Sequence, residues 1–526
     1  MHDSITHDIH QDTSRRRRGH ALLAACLGVT LVGACTKTKQ DTAPPVQQDT
    51  RTEDEKARAA KAEEAARKRA ELAALPALPG VKAPAPVKFP EPVITTLDNG
   101  LELIVLEDHE VPSVDITLHV KAGEIYSSAE QPTIAKFTAY MLGEGTKKHK
   151  KAKLDALIDA TGGALGSGAG DERATISASL LAGDAELGLS LIAEQALRPT
   201  FPEESFDKVK DMMIQEVASQ KSQPFGLALQ FGRRVVYGER SAYGRPFPTD
   251  AQIKGMTRAQ VLAFHETHYV PNNAMLVIAG DITPEQAQKL TKKHFGAWAR
   301  GADISVPRAE APARPSKTVV HLIDRPASAQ ATVMVAVPAP GIGEQGWLEA
   351  KALQSVFGGG LSARLNQVLR EQLGLTYGAA AFHSHGFDGG VFFAGGGTKT
   401  KSAGEFAQAL IDVLQQPGEE GIEAKELARV LSKISGQFAL EVEGVDTVAA
   451  KTVTQRLYGL PDGFWERYRA DVESVTPAQI KASTRQLFVD QPVQIVAIGK
   501  AKKIRESLSQ FGEVIVYDTQ LQRVSQ

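Results

Sequence analysis

The chain predicts an α+β protein made of two homologous layered domains, each an antiparallel-rich sheet flanked by helices. The first observation is an internal duplication. Met256-Thr257-Arg258-Ala259-Gln260 runs through Tyr269-Val270-Pro271 to the apolar strand Val277-Ile278-Ala279-Gly280. Its counterpart is Val475-Thr476-Pro477-Ala478-Gln479, running through Phe488-Val489-Asp490 to Val496-Ala497-Ile498-Gly499. A Thr-capped helix, a short turn and a buried strand recur each time. The second observation is that Glu107-Asp108, heading a strand pair, is echoed by Ile323-Asp324 at a similar offset. The third is that strands and helices alternate within each half, yet the connections are too short and hairpin-like for a doubly wound parallel sheet.

The composition allows this. With 526 residues, 42% hydrophobic and 23% charged, the chain can fill two cores of ordinary domain size. The halves meet near Pro307–Pro315, where Pro and Ala cluster, which sets a first domain at 93–306 and a second at 316–512. A net charge of −2 predicts no nucleic-acid partner. No run of about 18 apolar residues occurs, so no spanning helix is expected.

The N-terminus reads as an export leader over residues 1–35. Arg15-Arg16-Arg17-Arg18 is a basic n-region and Ala21 to Ala34 a short apolar h-region. Leu31-Val32-Gly33-Ala34-Cys35 resembles a bacterial lipobox, which makes Cys35 the expected lipidated residue and the mature protein a membrane-anchored lipoprotein of the cell envelope. Cys26 also ends such a pattern but leaves an h-region of only about five residues, too short to insert. These are the only two cysteines, so cleavage at Cys35 leaves no disulfide. Residues 36–92 read as a tether. Thr42-Ala43-Pro44-Pro45 is poor in apolar residues, Glu53 to Leu75 is Ala/Glu/Lys/Arg-rich and helical, and prolines from Pro76 to Pro92 keep the remainder extended.

In the first domain, Leu97-Asp98-Asn99-Gly100-Leu101 opens a strand that alternates through Leu103 and Val105 to Asp108. A second strand runs from Val114 to Val120 and ends at Ala122-Gly123-Glu124. A helix over 133–142 follows, then one ending at Gly162-Gly163, a Pro199-Thr200-Phe201 turn and a helix containing Glu216. This order resembles the pitrilysin/insulinase family of zinc peptidases, over about Pro92 to Gly512. The family's helix carries the inverted zinc motif H-x-x-E-H. Laid on this sequence, the two His positions fall on Lys136 and Tyr140, and the Glu position on Ala139. Glu216 matches the family's third ligand. An ammonium does not ligate zinc, a phenol titrating near ~10 is a poor ligand at neutral pH, and Ala139 offers no base. The expectation is therefore a chain without its own zinc site. Gly162-Gly163-Ala164-Leu165-Gly166-Ser167-Gly168 lies where active members carry an Asn-Ala edge strand that pairs with substrate; here the Asn is a Gly, which points the same way.

The second domain keeps more of the family pattern. It reads Phe357-Gly358-Gly359-Gly360-Leu361-Ser362-Ala363-Arg364-Leu365, then Leu369-Arg370-Glu371-Gln372-Leu373-Gly374-Leu375-Thr376-Tyr377-Gly378. This is similar to the family's C-terminal signature, in which an Arg and a Tyr seven residues apart bind the substrate carbonyl. The resemblance thus implies substrate-binding roles for Arg370 and Tyr377, by donors of the right type. Read from the residues alone, Arg370-Glu371 is equally a surface ion pair and Tyr377 the start of a core strand.

Other features read as structural. His265-Glu266-Thr267-His268 lacks the H-E-x-x-H spacing. Gly358-Gly359-Gly360 lacks the Lys-Ser/Thr ending of a phosphate loop and reads as a tight turn. Lys147-Lys148-His149-Lys150-Lys151 reads as a solvated charge run. The family further implies a clam-shell pairing of the two domains and, in some bacterial members, a division of labour between a zinc-bearing chain and one with the Arg/Tyr pair. The functional expectation is a non-catalytic, substrate-binding subunit of an exported two-subunit zinc peptidase. It would take a peptide or unfolded-protein substrate, pair as a heterodimer with a zinc-bearing family member, and need no cofactor itself. The alternatives are an active peptidase with a rewired site and a stand-alone binding or scaffold lipoprotein.

Overall fold

A computed structural model describes residues 89–308 and 315–524, together with the isolated Arg67. The leader, Cys35 and the tether up to residue 88 lie outside the described residues. The described residues from 89 onward belong to one compact unit, Leu78–Gln526.

The first half contains β1 (Val93–Thr96), β2 (Glu102–Glu107), β3 (Ser113–Val120), α1 (Ile134–Leu142), α2 (Lys151–Asp159), β4 (Ala164–Ala169), β5 (Ala174–Leu181), α3 (Ala185–Leu197), α4 (Phe206–Ser222), α5 (Pro224–Tyr237), α6 (Asp250–Lys254), α7 (Arg258–His268), β6 (Ala274–Gly280) and α8 (Pro284–Phe295). The second half contains β7 (Val319–Asp324), β8 (Gln330–Ala339), α9 (Trp347–Gly358), a π-helical turn at Asn366–Gln372, β9 (Ala379–Gly386), β10 (Gly389–Lys399), α10 (Ala403–Glu419), α11 (Ala424–Glu441), α12 (Val445–Tyr458), α13 (Phe464–Glu473), α14 (Pro477–Thr484), β11 (Gln494–Gly499), α15 (Ala501–Leu508) and β12 (Glu513–Tyr517).

The duplication is visible in the sheets. Their orders are β1-β2-β6-β3-β5-β4 and β12-β7-β11-β8-β10-β9. Five strands correspond one to one: β2 with β7, β3 with β8, β4 with β9, β5 with β10 and β6 with β11. Both sheets are mostly antiparallel, with β2–β6 and β7–β11 as equivalent parallel pairs. The sixth strand differs in origin. β1 comes from the N-terminal side and pairs antiparallel, whereas β12 comes from the C-terminal side, beyond residue 512, and pairs parallel. The repeated helix starts are capping boxes in both copies: Thr257 with Gln260, and Thr476 with Gln479.

The packing goes beyond two sheets that each carry helices on one face. On β2, Leu103 and Val105 face their own helices, while Ile104 and Leu106 point into the core of the second half. That opposite face is covered by α12, whose Val448 and Val453 belong to the same core. Reciprocally, α5 of the first half lays Leu227, Ala228 and Phe231 on Met334, Ala336 and Val496 of the second sheet. Gly232 is required at this contact, because a Cβ there would stand 2.6 Å from the Phe393 ring. The halves thus face each other through two exchanged helices, which explains why β6 and β11 are buried along their whole length.

Glu172 pins the junction. It accepts hydrogen bonds from Tyr243 Oη at 2.7 Å and from Tyr458 Oη, on the exchanged α12, at 2.9 Å. Tyr243 Oη also accepts from the Phe387 N–H at 2.8 Å. Desolvation pushes the Glu172 carboxyl above its usual range, against the two phenol donors.

Candidate functional site

The helix α1 forms without a capping side chain of its own at the N-cap. Thr133 sits there at φ 68, a left-handed conformation that costs a β-branched residue energy; its counterpart before α9 is Gly346 at φ 90. The orphan amides of the first turn are satisfied from elsewhere. Ser127 Oγ accepts from the Ala135 N–H at 3.2 Å, and Glu124 Oε1 accepts from the Lys136 N–H at 3.0 Å and from Thr133 Oγ1 at 3.1 Å. Desolvation raises the Glu124 pKa, opposed by these donors. The sequence pattern gave no sign of this remote carboxylate cap, because Glu124 lies nine residues upstream of Thr133 in a turn of its own.

From α1, Lys136 and Tyr140 point to the same side, one turn apart, toward Glu216 on α4. Lys136 Nζ donates to Glu216 Oε1, Tyr140 Oη donates to Oε2 at 3.1 Å, and Gln220 Nε2 donates to Oε1 at 3.0 Å. Lys136 and Glu216 are 23% and 31% exposed, so the pair is largely screened from water. Burial disfavours the Lys136 ammonium, but its hydrogen bond to Glu216 and the charges of Glu216 and Glu124 outweigh this and leave its pKa raised. The Tyr140 phenol is raised too, chiefly by desolvation. A cavity of about 260 Å³ opens beside the pair, with Arg233 and Arg245 also on its wall.

These residues do not fit a zinc ion. The third-ligand carboxylate is occupied by an ammonium and a phenol from the two positions where imidazoles would stand. Ala139 at the base position is fully buried, packed in the first-half core, and its carbonyl accepts from Ser167 Oγ at 2.8 Å. Among the described residues no group of three or more His, Cys, Asp or Glu could hold a metal.

Arg370 lies in the π-helical turn, where Nε pairs with its neighbour Glu371 at 3.2 Å; Tyr377 is 86% exposed, in the loop before β9 rather than within it. The structure brings neither to Glu216, nor to the wall of any described cavity. What holds their loop is Asn366, which sequence reasoning did not single out. Its buried amide donates to Gly360 O and Ala379 O and accepts from the Ala379 N–H at 3.0 Å. The glycine run is a helix-ending turn as expected: a Cβ at Gly358 would meet the Ala381 backbone nitrogen at 2.1 Å.

The other expected structural features have specific partners. His265 Nε2 bonds to Ala196 O at 2.8 Å and its ring stacks on Tyr269. In the basic run, Lys148 and His149 both reach Glu194, at 3.1 and 2.7 Å, so this part is an ordered ion cluster rather than a free solvated one. β4, after Gly162-Gly163, is the edge strand of its sheet.

Fold and site together define a duplicated two-sheet scaffold with a lysine–carboxylate pair where the resemblance places a metal. Residues 103–233 match the family described as Insulinase (Peptidase family M16), and residues 255–434 match the Peptidase M16 inactive domain, together more than half of the chain. The chain belongs to the M16 (insulinase) peptidase family. An uncharacterized zinc protease of Mycobacterium leprae is 25% identical over 397 residues, covering 75% of this chain and 88% of the relative. One from Rickettsia bellii is 26% identical over 355 residues, covering 67% and 84%. Among solved structures, the peptidase M16 inactive domain from Pseudomonas fluorescens superposes with a TM-score of 0.70 at 24% identity, covering 78% of this chain and 98% of that one. A protease from Helicobacter pylori gives 0.70 at 19% identity, covering 78% and 99%.

Proposed function

We propose that this chain is the non-catalytic, substrate-binding subunit of an exported two-subunit zinc peptidase. The observation that carries the reading is the Lys136–Glu216–Tyr140 cluster, which uses the retained carboxylate for an ion pair instead of a metal. Zinc chemistry would then belong to a heterodimer partner with an intact H-x-x-E-H helix, acting on a peptide or unfolded protein. Arg370 and Tyr377 are the residues offered to that substrate. The exposure of Tyr377 and the weak surface tie of Arg370 leave both donors available to it. Lipidation at Cys35 would hold the subunit at the membrane of the cell envelope.

The test is capture of the mature chain with its partner, followed by peptidase assay of each chain alone and of the complex. Turnover only by the complex, lowered on the order of 10²-fold by Arg370→Ala without loss of assembly, supports the reading. Equal turnover by mutant and parent complexes would favour a scaffold role, in which the Arg370–Glu371 pair is a surface contact. Fatty-acid labelling that survives Cys35→Ser would remove the anchor from the proposal.

A further inference from the structure

The duplication places a second cleft where the first half has its Lys136–Glu216 site. In the first half that cavity is walled by α1, α4 and α5; in the second, the equivalent helices α9, α11 and α12, with α13, enclose a larger one of about 500 Å³. That volume lies within the range of small-ligand pockets. One wall is aromatic: Trp347, Phe438, Trp465 and Tyr468 pack ring on ring.

Its polar groups are unevenly satisfied. Lys451 bonds Glu441 at 2.9 Å and sits over the Phe438 and Trp465 rings, at 4.8 and 4.9 Å, so the carboxylate on the rim is already neutralised. Lys433 donates to Gly359 O. The half-buried Lys351, by contrast, has no hydrogen bond or ion pair among the described residues, although burial holds its pKa below the usual lysine value. Three residues on, Gln354 Oε1 is buried without a donor among the described residues. The two are neighbours on one face of α9. A half-buried cation lacking a hydrogen-bond acceptor, beside a buried acceptor lacking a donor, costs free energy that a ligand carrying both complements would recover.

We propose that this cleft binds the C-terminal end of a peptide with an apolar or aromatic last residue. Its carboxylate would lie on Lys351, its last amide N–H on Gln354 Oε1, and its side chain against Trp347, Trp465 and Tyr468. A free amino acid offers the carboxylate but carries a charged amine where Gln354 asks for a neutral N–H beside two further lysines. The site goes beyond the Arg370 and Tyr377 reading and needs neither partner nor turnover, so each can fail without the other.

Two of the three tryptophans line the cleft, and the third, Trp298, belongs to the first-half core. Intrinsic fluorescence of the purified mature chain is therefore the readout. Titration with N-acetyl-alanyl-phenylalanine should give a saturable change. Its C-terminal amide should bind at least about tenfold more weakly, as should the acid to Lys351→Met, and Gln354→Met should weaken the acid several-fold. Lys351→Met should melt no lower than the parent, because desolvation of this half-buried charge outweighs the attraction of Glu441 and no hydrogen bond or ion pair is lost with it. Lys351→Arg should retain binding. No saturable change, equal binding of acid and amide, unchanged affinity in Lys351→Met, or phenylalanine binding as tightly as the acetylated dipeptide would each overturn the proposal.

Discussion

Lys136 on α1 donates directly to Glu216 on α4, so an ammonium occupies the carboxylate that the family's zinc site would use. Neither residue is solvent-exposed enough to treat the pair as a surface ion pair of negligible worth. With Tyr140 and Gln220 completing the shell, the carboxylate has the donors that a partly buried anion needs.

A double-mutant cycle measures this directly. Lys136→Met and Glu216→Gln should each lower stability by on the order of 1–3 kcal/mol, and the double variant should cost less than their sum by about 1 kcal/mol or more. Urea unfolding provides the measurement; strictly additive losses would contradict the coupling.

The metal position should be recoverable in part. The parent chain should carry no stoichiometric zinc by elemental analysis. Lys136→His with Tyr140→His, placing two imidazoles one turn apart beside Glu216, should gain about one zinc per chain. Ala139→Glu should behave differently, lowering stability by about 2 kcal/mol or more, because that site has become core. A double-His variant as metal-free as the parent would mean that α1 and α4 no longer hold the ligating geometry.

Tyr458→Phe removes one of the two phenol donors to Glu172 and should destabilise the protein by about 1–3 kcal/mol, without touching the Lys136 cluster. Because the lost bond crosses between the halves, hydrogen exchange should quicken in α12 and in the loop carrying Glu172. An unchanged melting temperature would dismiss the clasp.

Acid sensitivity follows from buried imidazoles. Desolvation lowers His383 to about 4, against 6.5 for an unperturbed histidine. The unfolded chain therefore takes up a proton that the native site resists, and this contribution is present above about pH 6.5 and lost as pH falls toward about 4. Glu124 and Glu172, raised by burial, bias the same region oppositely, so the histidine is isolated by comparison. His383→Gln should flatten the slope of stability between pH 6.5 and 4 by up to one proton, about 1.4 kcal/mol per pH unit. Parallel pH profiles for variant and parent would reject the assignment.

The sequence by itself determined the duplication, the α+β class, the family and which residue types stand at the positions of its zinc motif. All of these rest on local signals: the Thr–Gln capping boxes at Thr257 and Thr476, the apolar strands at 274–280 and 494–499, and residue types at 136, 139 and 140. That Lys136, Tyr140 and Glu216 meet was legible too, because the resemblance assigns all three positions to one site. Only the tertiary structure decided the rest. Period-2 burial on β2 reveals two apolar faces but not that α12, some 350 residues downstream, covers one of them. The carboxylate cap from Glu124, the Asn366 brace under the Arg370 loop and the Glu172–Tyr458 clasp join residues whose sequence neighbourhoods carry no shared pattern. Capping, alternation and motif spacing are encoded within a few residues, whereas these contacts arise when separate layers meet, and their partners are set by packing geometry that no local window contains.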